Sequence, residues 1–342
     1  MKRAFGFWAA LAMLAGIHVV TLAAGFFAPY DFATQDREAP FVPPVHIHFL
    51  DAARGFHSRP FVCRWVPVLG VADRFSYTED CTQTFPIKLL VEGAPDSASG
   101  ARKGNLRLLG VDAPGRLWLL GTDEFGRDVF SRLIYGGRIS LFAGLLATLV
   151  SLALGWGLGS LAGFFGAWMD EGIMRSGELF LALPWLYLLF AVRAFLPLHV
   201  GAGQAFLLLT GVIGLVGWAR PARLVRGIVL SAKERTYVLA ARGFGASDAY
   251  ILRRHIWRET RVVMLTQAAL LIPAYIQAEV VMSFLGLGVG EPVPSWGNML
   301  ASLQNLTTLA YAWWTAAPAL VLAGVCLLYH QVGAHLQGQG KA

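Results

Sequence analysis

Long apolar runs separated by short polar breaks dominate the chain. A helix crossing a hydrocarbon layer of roughly 30 Å needs about 20 mostly apolar residues. Six stretches are candidates: 5–28, 139–165, 178–198, 203–218, 262–285 and 310–331. The first follows Lys2 and Arg3 as a signal peptide would, but its apolar run exceeds the roughly 7–15 residues of a signal core, so it reads as a retained anchor. Between the first two spans the pattern changes. Val45, Ile47 and Phe49 alternate with His46 and His48, residues 61–69 form a second extended run, and Pro43, Pro44, Pro60 and Pro67 punctuate the chain. The expected fold is an all-α polytopic membrane protein with six transmembrane helices and a small strand-rich insert within 31–138.

Inside the second span Gly155, Gly159 and Gly163 recur at four-residue spacing. Glycines so placed share one helix face and admit a neighbouring backbone closely. Gly157, Gly159 and Ala162 also fit G-x-G-x-x-A, but no strand precedes them, so a dinucleotide reading fails on context.

Composition narrows the class. With 56% hydrophobic and 14% charged residues the chain resembles neither a soluble globule nor a disordered chain. The net charge of +7 is concentrated: residues 220–261 hold ten basic side chains against three acidic ones, while the remainder is balanced. A basic loop beside apolar spans marks the cytoplasmic side. Counting spans outward then places both termini in the cytoplasm and 31–138 outside, where thirteen acids and thirteen bases show no bias. The expected short turn around Asp170, Glu171 and Arg175 is slightly acidic, which fits the scheme poorly. Nucleic-acid binding finds no zinc, RNP or homeodomain pattern in the basic loop.

Candidate chemistry is sparse. The G-x-x-x-x-G-K-[ST] string of a phosphate-binding loop is missing, as are H-E-x-x-H and G-x-S-x-G, so nothing supports an enzyme. His46 and His48, with Asp51 or His57, could bind a metal, although paired surface histidines without one are commoner. Cys63 and Cys81 share the outer segment, and whether they are bridged stays open. Cys326 is alone in the last span. Ionisable groups within spans are His18, Arg193 and Glu279, with Glu178 at an edge. Each is a functional candidate because burying charge in a membrane is costly, with snorkelling to water as the alternative for Arg193 and Glu279. In 233–261, Gly243, Gly245, Ser247 and Asp248 suggest a short helix, a turn and a second, capped amphipathic helix. This is either a solvated basic loop or a bent helical knob that seats in a partner.

Three segments resemble the permease subunits of dipeptide and oligopeptide ABC importers, which have the type I importer fold. The first is LGTDEFGRDVFSRLIYGGRISL (120–141), containing Gly121, Thr122, Asp123, Gly126, Arg127 and Asp128. The second is the basic loop, similar to the EAA coupling motif, with Ala240, Ala241, Gly245, Ala246, Ser247, Asp248, Arg253, Arg254, His255 and Ile256 in matching places. The third is SFLGLGVGEPVPSWGNML (283–300), containing Ser283, Gly286, Gly288, Trp296 and Gly297, preceded by Glu279 where the family tends to place Glu. Leu239 stands where the motif's glutamate would be, and Trp257-Arg258 replaces its closing Leu-Pro, which frees the helix to continue toward the fifth span. The insert from 31 to about 116 is longer than is usual in the family.

The resemblance implies an anchor helix (1–30), an extracytoplasmic segment (31–138), a permease core (139–335) with its coupling loop at 219–261, and a cytoplasmic tail (336–342). It further implies a multi-pass inner-membrane subunit that binds no cofactor, ATP and Mg²⁺ residing on two ABC ATPase subunits docked on the loop. A second homologous permease completes the pathway in the lipid bilayer, and a substrate-binding protein delivers peptide from outside. Glu279, Ser283, Gly286 and Gly288 are assigned to the path or gate, and the 120–141 residues with Trp296 and Gly297 to an extracytoplasmic motif. A nickel chelate or other small solute is the alternative cargo. A motorless carrier or channel and a membrane-anchored scaffold are the alternative classes.

Overall fold

The computed structural model describes residues 2–51, 55–69, 75–93, 106–194 and 201–339. The chain is predominantly α-helical, with helices α1 (Lys2–Leu22), α2 (Ala24–Phe27), α3 (Val129–Phe165), α4 (Ala167–Ala182), α5 (Trp185–Ala194), α6 (Ala202–Val216), α7 (Ala219–Ala232), α8 (Thr236–Gly243), α9 (Asp248–Ile251), α10 (Trp257–Phe284), α11 (Trp296–Leu300), α12 (Leu306–Tyr311) and α13 (Ala317–Gln339). Among the described residues, four helical stretches are long and apolar enough to cross a membrane: Phe5–Leu22, Val129–Phe165, Asp248–Phe284 and Trp313–Gly338. The α4–α5 pair, bent by 95°, and the α6–α7 pair, bent by 42°, raise the number to six if each pair is one span.

Two departures from the sequence expectation have local causes. The third span, expected at 178–198, is broken: Leu183 is extended (φ −84°, ψ 139°), because Pro184 has no N–H to donate and restricts the residue before it. The turn expected around Asp170 is instead inside α4, where Asp170 pairs with Arg226 of α7 and their charges cancel locally. As the missing Leu-Pro leads one to expect, helix α10 is continuous with α9 through a π-helical turn (Leu252–Ile256), since Arg258 leaves the backbone donor that a proline would remove.

The chain divides into two compact units. One is built on Leu141–Val281 with both chain ends, the other on Ala15–Ser140 and Met282–Ala323. In the first, the glycine stripe of α3 lies against α7. A Cβ at Gly155 would meet Pro221, one at Gly159 the backbone of Ala222, and one at Gly163 the carbonyl of Arg226 and the side chain of Val229. Hydrogen at these positions is what lets the two backbones approach. The Lys233 ammonium donates to the Gly163 carbonyl (3.0 Å), satisfying an acceptor at the C-terminal end of α3.

In the second unit, β1 (His48–Asp51), β2 (Gly55–Leu69) and β3 (Phe75–Pro86) form an antiparallel sheet in that order, and β4 (Lys88–Glu92) pairs with β5 (Leu106–Gly110). Val45, Val62, Phe85 and Leu117 form the core of the insert. Register shifts between Val62 and Arg64, and Cys63 at that irregularity is bonded to Cys81 of β3. The open question about the two thiols is thereby answered: they form a disulfide. His46 and His48 both lie against Glu79, at 3.1 and 3.2 Å, so a carboxylate lies between them. Among the described residues the one cluster with metal-ligand spacing is His48, Cys63 and Cys81, whose sulfurs are engaged in the bridge.

Candidate functional site: a helical elbow and an ion-paired clasp

The basic loop folds as an elbow. Helix α8 ends at Gly243, and Gly245 takes φ +81°, a left-handed conformation that side-chain-bearing residues resist. No atom lies within 4 Å of a Cβ built there, so conformation and not crowding explains this glycine. Ser247 then caps α9, its hydroxyl accepting the Tyr250 amide (3.3 Å). Arg242 and Asp248 face each other across the turn at 3.8 Å.

The elbow has two faces. Val238, Ile251 and Ile256 are fully buried, packed with Val225, Val229 and Ala232 of α7, Phe164 of α3 and Met264 of α10, and Ala246 packs against this cluster. The other face exposes Leu239, Tyr250 and Phe244, the last 94% accessible. Ala240, Gly245, Ser247, Asp248, Arg253 and Arg254 are exposed as well, whereas Ala241 is half-buried. His255 sits between the rings of Tyr237 and Tyr250 at 5.5 and 5.9 Å. Tyr237 in turn donates to Glu259 (2.9 Å), which also pairs with Arg235 (3.3 Å). Sequence reasoning missed Phe244 and Tyr250. The available signal was an aromatic residue between two turn-forming glycines in the most polar loop of an apolar chain.

The second unit brings the 120–141 and 283–300 segments together in a clasp. Thr122, fully buried, donates its hydroxyl to the Ala39 carbonyl (2.7 Å) and accepts the Val42 amide (2.8 Å), while its carbonyl accepts the Trp314 indole N–H (3.0 Å). Asp123 accepts the Arg127 amide (3.0 Å) and its Nε–H (2.7 Å). Arg127 also donates to Glu291 (2.6 Å), as does Arg132 (2.9 and 3.1 Å). One glutamate therefore joins two almost wholly buried guanidiniums. Gly126 takes φ +69°, and a Cβ there would collide with the Asp36 carbonyl.

Asp128 caps α3, accepting the Ser131 amide (2.8 Å) and hydroxyl (2.6 Å). Burial pushes its carboxyl up to about 7, although the bonds from Ser131 oppose the rise. Trp296, 1% exposed, donates its indole N–H to the Leu133 carbonyl (3.0 Å) and its amide to Ser140 (3.1 Å), beside Gly136 and Gly137. Gly297 is buried with it in α11, which Ser295 and Asn298 cap reciprocally. Glu291 and Arg132 were within the quoted strings but were not singled out, because the sequence does not say which charges meet across some 160 residues.

Of the expected path residues, Glu279 is fully buried in α10, which removes snorkelling to water as its explanation. The side chain of Arg193 lies outside the described residues. Ser283 is buried against Gly288, where a Cβ would strike its hydroxyl, and Gly286 takes φ +75°, so these three shape the turn that ends α10. In the first unit Tyr275 shares a hydrogen bond with Ser151 (2.9 Å), and a cavity of about 260 Å³ opens beside Tyr275, Gln277 and Arg220.

Residues 155–338, more than half of the chain, match the family described as binding-protein-dependent transport system inner membrane component. The dipeptide transport system permease protein DppC of Bacillus subtilis is 39% identical over 218 residues, 64% of this chain and 66% of that protein. The oligopeptide transport system permease protein OppC of the same organism is 36% identical over 208 residues, covering 60% and 66%. The glutathione transport system permease protein GsiD of Pectobacterium atrosepticum is 39% identical over 201 residues, covering 58% and 64%. The chain thus spans just under two thirds of the length of these relatives. With the family match over the helical core, the chain belongs to the binding-protein-dependent transport system inner-membrane components, the permease subunits of ABC transporters.

Proposed function

We propose that this chain forms half of the translocation pathway of an ATP-driven importer, and that the elbow at 236–256 receives the motion of an ATPase. A second permease of the same kind supplies the other half, and a substrate-binding protein delivers peptide on the side of the strand-rich insert. The positive charge of the basic loop supports a cytoplasmic elbow, with both termini on that side and the insert outside. The carrying observation is Phe244, 94% exposed at the tip of an element whose opposite face is fully buried. An aromatic side chain held in water, with Leu239 and Tyr250 also exposed on the elbow, supplies apolar surface of the kind that marks a protein interface.

Mechanically, the buried anchors make the elbow part of the bundle, so that a push on its outer face is transmitted as a shift of packed helices between two arrangements. The family tends to carry a glutamate where Leu239 stands here, so the contact is more apolar than in its relatives. The experiment is reconstitution of the full complex in vesicles with wild type or Phe244→Asp. The variant, solvent-exposed at the changed position, should insert and fold normally yet lose ATPase co-purification and ATP-dependent peptide uptake by tenfold or more, since a desolvated charge at an interface core costs about 2 kcal/mol or more. Undiminished uptake by the variant would reject the docking role. Uptake of another solute and not peptides would reject the cargo alone.

A further inference from the structure

The ribbon of β4 and β5 exposes apolar side chains that the coupling role does not use. Leu89, Leu90 and Leu106 are 70%, 58% and 51% accessible, and the exposed charges Lys88 and Glu92 bound the apolar stretch of β4. Leu90 also takes φ +54°, a left-handed conformation that a bulky residue resists. A two-stranded ribbon gains little stability in water, and exposed apolar strands invite aggregation. Apolar surface of this kind marks contact with a membrane or with another protein.

The position of the ribbon favours the membrane. Arg107 of β5 is 3% exposed, and its guanidinium donates to the Pro29 carbonyl. Gly93 makes room for it, since a Cβ there would collide with the Arg107 side chain. Tyr30 fixes the same joint: its amide donates to the Ser131 hydroxyl (3.1 Å), and its phenol oxygen accepts the Leu117 amide (2.7 Å). Pro29 in turn follows the first span closely. The amides of Ala23, Phe27 and Ala28 each donate four residues back, to Val19, Ala23 and Ala24. At a rise of 1.5 Å per residue Pro29 then lies about 10 Å beyond Leu22, comparable to the roughly 5–8 Å depth of the headgroup layer on each side of the hydrocarbon. Strand β5 is therefore pinned where the chain leaves the bilayer. Val91 pairs with Arg107 and Leu89 with Leu109, so Leu89 shares a sheet face with Arg107, the face turned to Pro29.

We propose that this ribbon docks on the lipid bilayer, with Leu89, Leu90 and Leu106 seated among headgroups and acyl-chain ends and with Lys88 and Glu92 left in water. Transferring exposed leucine side chains out of water is favourable, and for Leu90 it offsets the cost of the backbone conformation. Lys88 already has an aqueous partner in Asp112 (2.6 Å). Docking would hold the long insert at a fixed height over the membrane. It concerns the insert alone, so an importer of any cargo could carry it.

The test is depth-dependent quenching in the full-length chain in lipid nanodiscs. Cys63 and Cys81 are bridged and Cys326 is buried, so Leu89→Cys and, separately, Leu106→Cys each supply one exposed thiol for an environment-sensitive nitrobenzoxadiazole label. Both labels should be quenched by lipids bearing a nitroxide near the headgroup end of an acyl chain, and both should be protected from aqueous iodide. In the Leu106→Cys chain, adding Leu89→Asp and Leu90→Asp should shift the docked fraction by about tenfold or more, so that iodide quenching replaces lipid quenching. A ribbon that merely lay near the bilayer would keep its lipid quenching after these two changes at exposed positions. Iodide quenching of both labels without lipid quenching, lipid quenching that survives the two aspartates, or protection of the labels only when a purified substrate-binding protein is added would each overturn the proposal. No ATPase, nucleotide or substrate takes part, so failure of the docking and failure of the transport reading are distinguishable.

Discussion

Neutralising Glu291 probes the clasp with little change of shape. Asp123 and Glu291 face Arg127 and Arg132, so Glu291→Gln leaves one carboxylate for two guanidiniums that are 5% and 1% exposed. Breaking a fully buried pair by removing one partner costs about 3–5 kcal/mol. Glu291 itself is 45% exposed, so water screens part of the loss. Arg132 also keeps the carbonyls of Pro292 (3.2 Å) and Phe32 (3.4 Å). The expected cost is therefore about 1–2 kcal/mol, local to the clasp, which corresponds to opening of the joined segments roughly 5–30 times more often. Hydrogen exchange of the full chain in nanodiscs should show faster amides in both 121–132 and 286–300. Adding Arg127→Gln to the same chain rebalances the charge and should recover part of the protection. Unchanged exchange in both segments of the single variant would refute the idea that this carboxylate holds them together.

Two further outcomes follow from the packing and the burial. Gly159→Val should destabilise the detergent-solubilised chain by about 1–3 kcal/mol, read as a lower melting temperature, because its side chain would be driven into the Ala222 backbone; Gly157→Val, with no atom within 4 Å of the added Cβ, should not. Asp128, its carboxyl raised to about 7 by burial, contributes stability that is present when it is protonated and is lost as pH rises from about 4 through 7. Wild type should therefore lose stability relative to Asp128→Asn between pH 5 and pH 8 in melting experiments, and parallel pH profiles would contradict the assignment.

Periodic features were legible in the sequence. The stripe Gly155, Gly159 and Gly163 specified a close helix neighbour, and α7 occupies that place. The run from Gly243 to Asp248 specified a turn and a cap, both local events set by φ at Gly245 and by the Ser247 hydroxyl. The break in the third span was not legible because hydropathy averages over Leu183-Pro184, whereas the backbone breaks there for want of one hydrogen-bond donor. The acidic turn was misread because Asp170 was counted as a charge facing water, and its partner Arg226 lies 56 residues away. The clasp was hidden for a related reason. Residues 39–42, 122–132, 291 and 314 converge through hydrogen bonds and ion pairs that leave no periodic trace. The face of the elbow that carries Phe244 was hidden because composition alone does not separate an aromatic residue held in water from one in a core.

The side of the membrane on which the elbow lies can be read directly. The chain has three cysteines, two joined in the Cys63–Cys81 bridge and the third, Cys326, buried, so Phe244→Cys supplies one exposed thiol. A membrane-impermeant maleimide should label this variant in inside-out vesicles and not in intact cells, and the partner ATPase should protect the thiol. Labelling from outside the cell, or labelling indifferent to the ATPase, would contradict the claim that force enters this subunit through its cytoplasmic elbow.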